Sequence, residues 1–551
     1  MRNLLGSALA AAMLAFASLL PAQQTVGLFQ YDPATTDGYT LLAPNPSNKV
    51  YLLDNCGRSV HEWTSTYTPG NSVRLLEDGT LLHTSRLNNT SFPAGGLGGR
   101  IERLDWNSNV TWSYNYSDNA KAQHHDCYPM PNGNFLFIAW ENKTRAEAIA
   151  AGRDSTLLQQ RLWPDHLVEV QPTTPGNGNI VWEWHAWDHL VQDHDSTKAN
   201  FGVVGDHPEL IDLNYIQPGQ TTYRDWLHTN AVCYNADLDQ IAISIHAWSE
   251  IWVIDHSTTT LEAAGHTGGV HGHGGDLLYR FGNPQTYRRG TVNDQVLFGM
   301  HDIQWVPAGD QYAGQMMCFN NGLARPAGNY STIEIWQPPV DVQGNYTLNP
   351  GQAYGPAAMS WTYQATPPTD LYSSLISGVQ RLAGNHTQVC VGNSGRIFQL
   401  DDQGNMVWEY VNPIQNTGPL NQGDPANNNS VFRAYKYEPT YPGLVGQSLS
   451  PGVQLEGNPL PLPSICMGSG VADEGGAGIS VWPNPFEGSF HLRIEDGAAM
   501  SVEVLDMTGR HIAEFVVDGN EVLVDLTGFP AGLYAVRVAG KREGLRVVKG
   551  D

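Results

Sequence analysis

The feature that most restricts the fold is a strand pattern repeated between residues 50 and 437. Each unit opens with an apolar strand, often closed by Leu-Asp, then a Gly or Asn turn and a strand carrying Trp. A loop follows, then a second pair of strands. "VYLLDNCGRSVHEW" (50–63) is followed by "VRLLEDGTLLHTS", and "RIERLDWNSNVTWSY" (100–114) by "HHDCYPMPNGNFLFIAW". The last unit is "RIFQLDDQGNMVWEYVNP" (396–413), followed by "SVFRAYKY". Six such units of four-strand character are legible. Repeated sheets of this length predict an all-β chain with a six-bladed β-propeller, whose inner strands line a central channel. Two stacked sandwiches are the competing arrangement. "GYTLLAP", from Gly38, is expected to supply the last strand of the sixth blade and close the ring.

Composition agrees with strands and tight turns. Charged residues are 15% of the chain, against 58 Gly, 16 Trp and 23 Tyr. The net charge of −25 argues against a nucleic-acid partner, which needs a basic surface. Residues 1–22 read as a signal peptide: Arg2, an apolar run from Leu4 to Leu20, and a cleavage point at Ala22. Six cysteines allow 15 disulfide pairings, and the sequence selects none of them. No C-x-x-C occurs, which disfavours a zinc ribbon or a redox motif. After Pro463 the composition changes. The domain reading is therefore a propeller over 23–460, a small-residue linker over 461–478, and a C-terminal β-sandwich over 479–551, with strands alternating between Gly and Asp turns.

Three stretches of the propeller begin with histidine. Asp126, Asn230 and Asp302 each stand five residues before a turn residue (Pro131, Asn235, Pro307). On that alignment His125 and His301 share one position, with Thr229 between them, and His124 and His228 share the position before. Equivalent positions of consecutive inner strands meet at one channel, so the histidines are expected to gather there. Each one alone is also explained as a turn-bonding residue of a blade.

The tail resembles the C-terminal sorting domain of the type IX secretion system, on "WPNPF", "VEVLDMTGR", "LTGFPAGLYAVRV" and the terminal "RVVKG". That resemblance implies export through the periplasm of a Bacteroidota-type bacterium, engagement of the secretion machinery by residues 479–551, and release or surface attachment. The stretch from Gly38 to Tyr437 resembles the bacterial arylsulfate sulfotransferases, on "VYLLDNCGRSVHEW", "HHD" before "PNGN", "DWLHTN", "SEIWVIDH", "MHD" and "GRIFQLDDQGNMVWEYVNP". The resemblance implies a six-bladed propeller that moves a sulfuryl group from an aryl sulfate to a phenol through a histidine nucleophile, independently of phosphoadenosine phosphosulfate. Carried over, the nucleophile is His301, His228 and Asn230 form an H-x-N pair, and the HHD stretch supplies His124 or His125.

The chemistry is sound in its own right. A neutral imidazole can attack sulfur and split one displacement into two. A second histidine can protonate the departing phenolate, and Asn230 is placed to donate to a sulfuryl oxygen. Trp226 and Trp305 are candidates to flank a phenol, with blade packing as their ordinary role. One departure stands out: His246 occupies the place of the family's arginine, and a histidine cannot clamp sulfate in two-pronged fashion. Arg433 and Lys436 are the candidate substitutes. "GHTGGVHGHGGD", with His266, His271 and His273, reads as a loop over the channel mouth. No metal or cofactor is called for. The rival to the enzyme is a non-catalytic surface propeller that binds a ligand or a partner protein.

Overall fold

The computed structural model describes residues 23–550 except 174–175, 218–223, 468–478, 484–485, 495–499, 507–509, 518–520 and 539–544. The expected signal peptide and most of the expected linker lie outside the described residues. The chain divides into two compact units, one up to Leu460 and one from Pro461. Both are nearly all β, with only short helices.

In the first unit, six antiparallel sheets of four or five strands are present among the described residues. Their innermost strands are Val431–Tyr437, Pro69–Leu75, Lys121–Pro129, Thr229–Asn235, His301–Trp305 and Gly378–Leu382. Each of these packs against the next in that order, and the last returns to the first, so they form a closed ring. Closure comes from the two ends of the unit. Val431–Tyr437 is the inner edge of a sheet whose other strands are Tyr39–Pro44, Lys49–Leu53 and Ser59–Thr64. A late strand hydrogen-bonded to an early one thus ties the two ends of the unit together.

"GYTLLAP" pairs with Val431–Tyr437, the last strand of the sixth sequence unit, and so closes the ring; the correction is to the rest of that sheet, which is Lys49–Leu53 and Ser59–Thr64 of the first sequence unit. The strand added to the last sheet is Gly27–Tyr31, on its outer edge against Met406–Val411. The sheets are half a unit out of phase with the sequence repeat. Each unit of the sequence joins the outer two strands of one sheet to the inner two of the next, as Lys49–Leu53 and Ser59–Thr64 precede Pro69–Leu75 and Leu81–Arg86.

The recurrent Trp of the outer strands has a packing role. Trp408 donates its indole N–H to the Asn55 carbonyl at 2.7 Å, Trp112 to Asn177 at 2.8 Å, and Trp184 to Gly275 at 2.7 Å. Each bond crosses to the neighbouring sheet. In these three the ring fills the apolar space between sheets while its N–H finds a partner; Trp63 is equally buried and its indole N–H has none. The core accordingly lies between neighbouring sheets: Ile138, Leu167 and Trp184 of one pack with Val232, Ile243 and Ile254 of the next.

Among its described residues the second unit holds a three-stranded and a four-stranded antiparallel sheet. Phe490 and Leu492 of the first share one apolar cluster with Val502, Val504, Val536 and Val547 of the second.

Candidate active site

The inner strands begin with irregular backbone. The ladder slips at His125–Asp126, at Asn230 and at Asp302–Ile303. His125, His228 and Asp302 have φ of 50°, 51° and 59°, in the left-handed region. A bulge turns the local strand and re-aims its side chains. Here it breaks the simple in-and-out alternation that strand neighbours otherwise obey.

Four imidazoles result in one chain of contacts. The ring centroids of His125 and His228 are 4.7 Å apart, those of His228 and His246 5.2 Å, and those of His246 and His301 5.0 Å. His246 comes from a short 3-10 turn, His246–Trp248, after the second strand of its sheet. His124 extends this chain by a fifth ring, its centroid 5.1 Å from that of His125. It stacks on Trp140 at 3.9 Å and bonds His125, Nδ1 to Nδ1, at 2.8 Å.

The hydrogen-bond partners assign tautomers. Asn321 gives its amide N–H groups to the carbonyls of Ser373 (2.8 Å) and Ile376 (3.0 Å), so its Oδ1 is turned to accept from His301 Nδ1 at 2.8 Å. The lone pair of His301 is therefore on Nε2, which accepts from the Ile376 N–H at 3.1 Å. The Asp165 carboxylate accepts from the Thr229 N–H at 2.7 Å and faces His124 Nε2 at 3.2 Å. With Nε2 donating, His124 Nδ1 accepts from His125 Nδ1, and the lone pair of His125 also falls on Nε2. Asp225 is bonded to His228 Nδ1 and accepts from the Trp140 indole at 2.9 Å. Asn321, Asp165 and Asp225 were not among the expected site residues. "DWLHTN" contained one signal, an acid three residues before a histidine.

Charge is distributed unevenly. Burial, and then the neighbouring His228, hold His125 well below the usual imidazole range. Burial and His246 do the same to His301. His246 is lowered to about 3 by burial and by His228. Burial also opposes charge on His228, but the Asp225 carboxylate outweighs it and raises that group. The cluster is thus three neutral rings around one that holds a proton more tightly. The His228 side chain is 26% exposed. Substituting Asp225→Asn is expected to lower the His228 pKa. Its protonated form would then be lost at lower pH, as histidine NMR titration would read; an unmoved titration would contradict the pairing.

Beneath the histidines is a layer of paired charge. Arg433 Nη1 donates to Asp126 at 2.6 Å, its Nε is 3.0 Å from Asp302, and Nη2 donates to the Asn230 carbonyl at 3.0 Å. Burial opposes the charged form of all three groups, yet the Asp126 and Asp302 carboxylates raise Arg433, and Arg433 with Arg74 holds Asp126 down. The aligned residues Asp126, Asn230 and Asp302 each reach the next inner strand. They bond the Val232 N–H (3.1 Å), the Met300 carbonyl (3.0 Å) and the Val379 N–H (2.9 Å). The second amide contact of Asn230 is accepted from Ser244.

Lys436 does not join the histidines. Its ammonium donates to Asn55 at 2.6 Å, the residue is 3% exposed, and burial lowers its pKa to about 7. Trp226 is buried against Trp248 in the inter-sheet core, and Trp305 packs in the next. The far ends of the inner strands line a separate cavity of about 670 Å³ with Arg74, Tyr128, Gln304, Tyr435 and Tyr437. The histidine-rich segment 265–276 is not at the channel mouth. It leads into Leu277–Phe281, the outermost strand of its sheet, and its turns are closed by backbone bonds such as Gly275 N–H to Gly265 O at 3.0 Å.

The sequence profile described as Arylsulfotransferase (ASST) matches residues 29–417, and that described as Secretion system C-terminal sorting domain matches residues 480–549. No curated protein matches the chain. Similar solved structures include a protein of unknown function from Bacteroides caccae, at 10% identity over 73% of this chain and 99% of that one, with a TM-score of 0.39. Another is virginiamycin B lyase from Staphylococcus aureus, at 12% identity over 72% and 86% of the two chains, TM-score 0.33. A third is the periplasmic gluconolactonase PpgL of Pseudomonas aeruginosa, at 10% identity over 68% and 96%, TM-score 0.35. Likenesses at these scores carry no argument about this chain.

Proposed function

From the membership of this chain in the arylsulfotransferase family, we propose that it transfers a sulfuryl group from an aryl sulfate to a phenol through sulfohistidine at His301. The framework proposed is a six-bladed propeller, followed by a small C-terminal sandwich. The observation that carries the reading is the tautomer of His301. Asn321 holds its proton on Nδ1, and the lone pair of Nε2 faces away from it. A neutral, buried imidazole with its lone pair on one known atom is what a nitrogen nucleophile requires.

Nε2 attacks sulfur, the S–O bond to the donor breaks, and the phenolate takes the proton of His228, which Asp225 holds in place. The phenol leaves and an acceptor phenol enters. Neutral His228, or His125 through its own Nε2, takes the acceptor's proton as its oxygen attacks sulfur and the N–S bond breaks. The His125–His124 bond, backed by the contact of His124 with Asp165, orients that base. Asn230 acts by fixing Met300 and so the start of the His301 strand. His124 acts through His125, and His246 bridges His228 and His301 without charge. Arg433, saturated by two carboxylates, shapes the floor of the site and does not clamp sulfate.

The sorting domain at the C-terminus supports secretion and cell-surface delivery in a Bacteroidota-type bacterium. Passage through the periplasm behind a signal peptide, and contact of the tail with the secretion machinery, complete the proposal.

One observation favours the rival reading of a non-catalytic binding propeller: Ile376 N–H already occupies the Nε2 lone pair. Ile376 has φ of 48°, a conformation disfavoured for a β-branched residue. For catalysis this peptide must yield the lone pair to sulfur; its N–H is then beside the sulfuryl oxygens as a donor. Rapid mixing with a nitrophenyl sulfate separates the two readings. Transfer predicts a burst of one nitrophenol per protein, with continued release only when a phenol is added. Binding without any release would establish the rival.

A further inference from the structure

Away from the inner strands, three residues from distant parts of the chain meet: His189, His266 and Asp276. His189 follows the short turn Ala186–Asp188, and His266 and Asp276 bracket the glycine-rich segment. His189 Nδ1 and His266 Nδ1 each approach Asp276 Oδ1 at 2.8 Å. One ligand atom from each lies within 4.8 Å of the others.

The other nitrogen of His189 decides what this means. Nε2 is 2.8 Å from the Ala263 carbonyl, which can only accept. Nε2 therefore carries a proton, and in neutral His189 Nδ1 is a bare lone pair. It is aimed at a carboxylate oxygen, also an acceptor. Two acceptors at 2.8 Å repel unless something positive joins them. His189 is fully buried, its ring stacked on Trp184 at 5.6 Å with the planes 4° apart. A divalent cation joins the His189 lone pair to the carboxylate and takes His266 Nδ1 as a third ligand. A ring N–H donated to a backbone carbonyl is also how metal-bound histidines are commonly oriented.

We propose that His189 Nδ1, His266 Nδ1 and Asp276 bind one divalent transition-metal ion of the zinc class, leaving a fourth position for water. Two nitrogens and one carboxylate suit zinc, with bonds of about 2.0–2.2 Å. Tetrahedral edges on such bonds are about 3.3 Å, so each contact opens by about half an ångström. The site is held from behind. Trp184 Nε1 donates to the Gly275 carbonyl at 2.7 Å, next to Asp276. A Cβ on Gly275 would be 2.6 Å from His189 Nε2, so only glycine lets the loop come this close. The ion would pin residues 265–276 to the sheet that carries Trp184.

The test uses the full chain without an affinity tag, stripped with a chelator and titrated with Zn²⁺ by calorimetry. Co²⁺ serves as the visible probe. Expected are one equivalent of zinc and the absorption bands of four-coordinate cobalt. His266→Ala, at an exposed position, and Asp276→Asn should each weaken zinc at least 100-fold. A His271→Ala, His273→Ala double variant should bind as the wild type does. The proposal is overturned if the wild type takes up no zinc, if His266→Ala binds it unchanged, or if the double variant is the one that loses it.

Discussion

Substitution His301→Ala is expected to lower aryl-sulfate turnover by roughly 10⁴-fold or more, the scale on which removing a covalent nucleophile acts. The loss should fall on kcat, because the remaining imidazoles still receive the donor. The nitrophenol burst should vanish along with steady turnover. The variant should stay folded. The alanine removes one imidazole that bonds Asn321 and the Ile376 N–H, at about 1–2 kcal/mol for neutral hydrogen bonds. Turnover within tenfold of the wild type would exclude His301 as the nucleophile. His228→Ala makes a useful contrast. It removes the proton donor but leaves the nucleophile, so a donor with a good leaving group such as nitrophenol should suffer least.

The second large effect is on stability. Arg433→Met is expected to cost about 3–5 kcal/mol, the range for breaking a buried ion pair from one side. It leaves Asp126 with only Arg74, 3.7 Å away, and leaves Asp302 without its guanidinium. Denaturant midpoints followed by Trp fluorescence would report it. A triple variant that also carries Asp126→Asn and Asp302→Asn should recover part of the loss, since the uncompensated charges are gone. A single-variant cost under about 1 kcal/mol would show that the layer is not what joins the inner strands.

Acid should act on the same layer with two signs. The folded pKa of Asp126 is depressed, so its contribution is present above the ordinary carboxylate value of about 3.9 and is lost as pH falls through the lower folded value. Asp302 is raised by burial and contributes oppositely, costing stability as pH rises past its unfolded value.

The strand period made the all-β character legible, and the offsets from the turns pointed to His125, His228 and His301. The phase of the sheets was not legible, because inner and outer hairpins carry the same alternation. The pairings of Tyr39–Pro44 with Lys49–Leu53 and of Leu81–Arg86 with Gly99–Leu104 distinguish them. His228 was placed one position from His301 on the alignment, and the left-handed backbone at His228 and Asp302 is what brings both rings to the centre. Asn321 carries no periodic signal. It stands just past the strand Met316–Asn320, and its role depends on two carbonyls more than fifty residues away. Arg433 looked available for sulfate because a lone sequence position does not show its counter-ions. Asp126 and Asp302 are 307 and 131 residues away in the chain.

The claim that His301 carries the sulfuryl group is tested most directly by trapping it. The protein would be mixed with a nitrophenyl sulfate without acceptor, quenched at neutral pH and examined by intact mass, then by peptide mapping. The account predicts one added sulfuryl group on the peptide containing His301, discharged when a phenol is supplied before quenching. A sulfuryl group on another residue, or turnover to an added phenol with no adduct at any time, would contradict it.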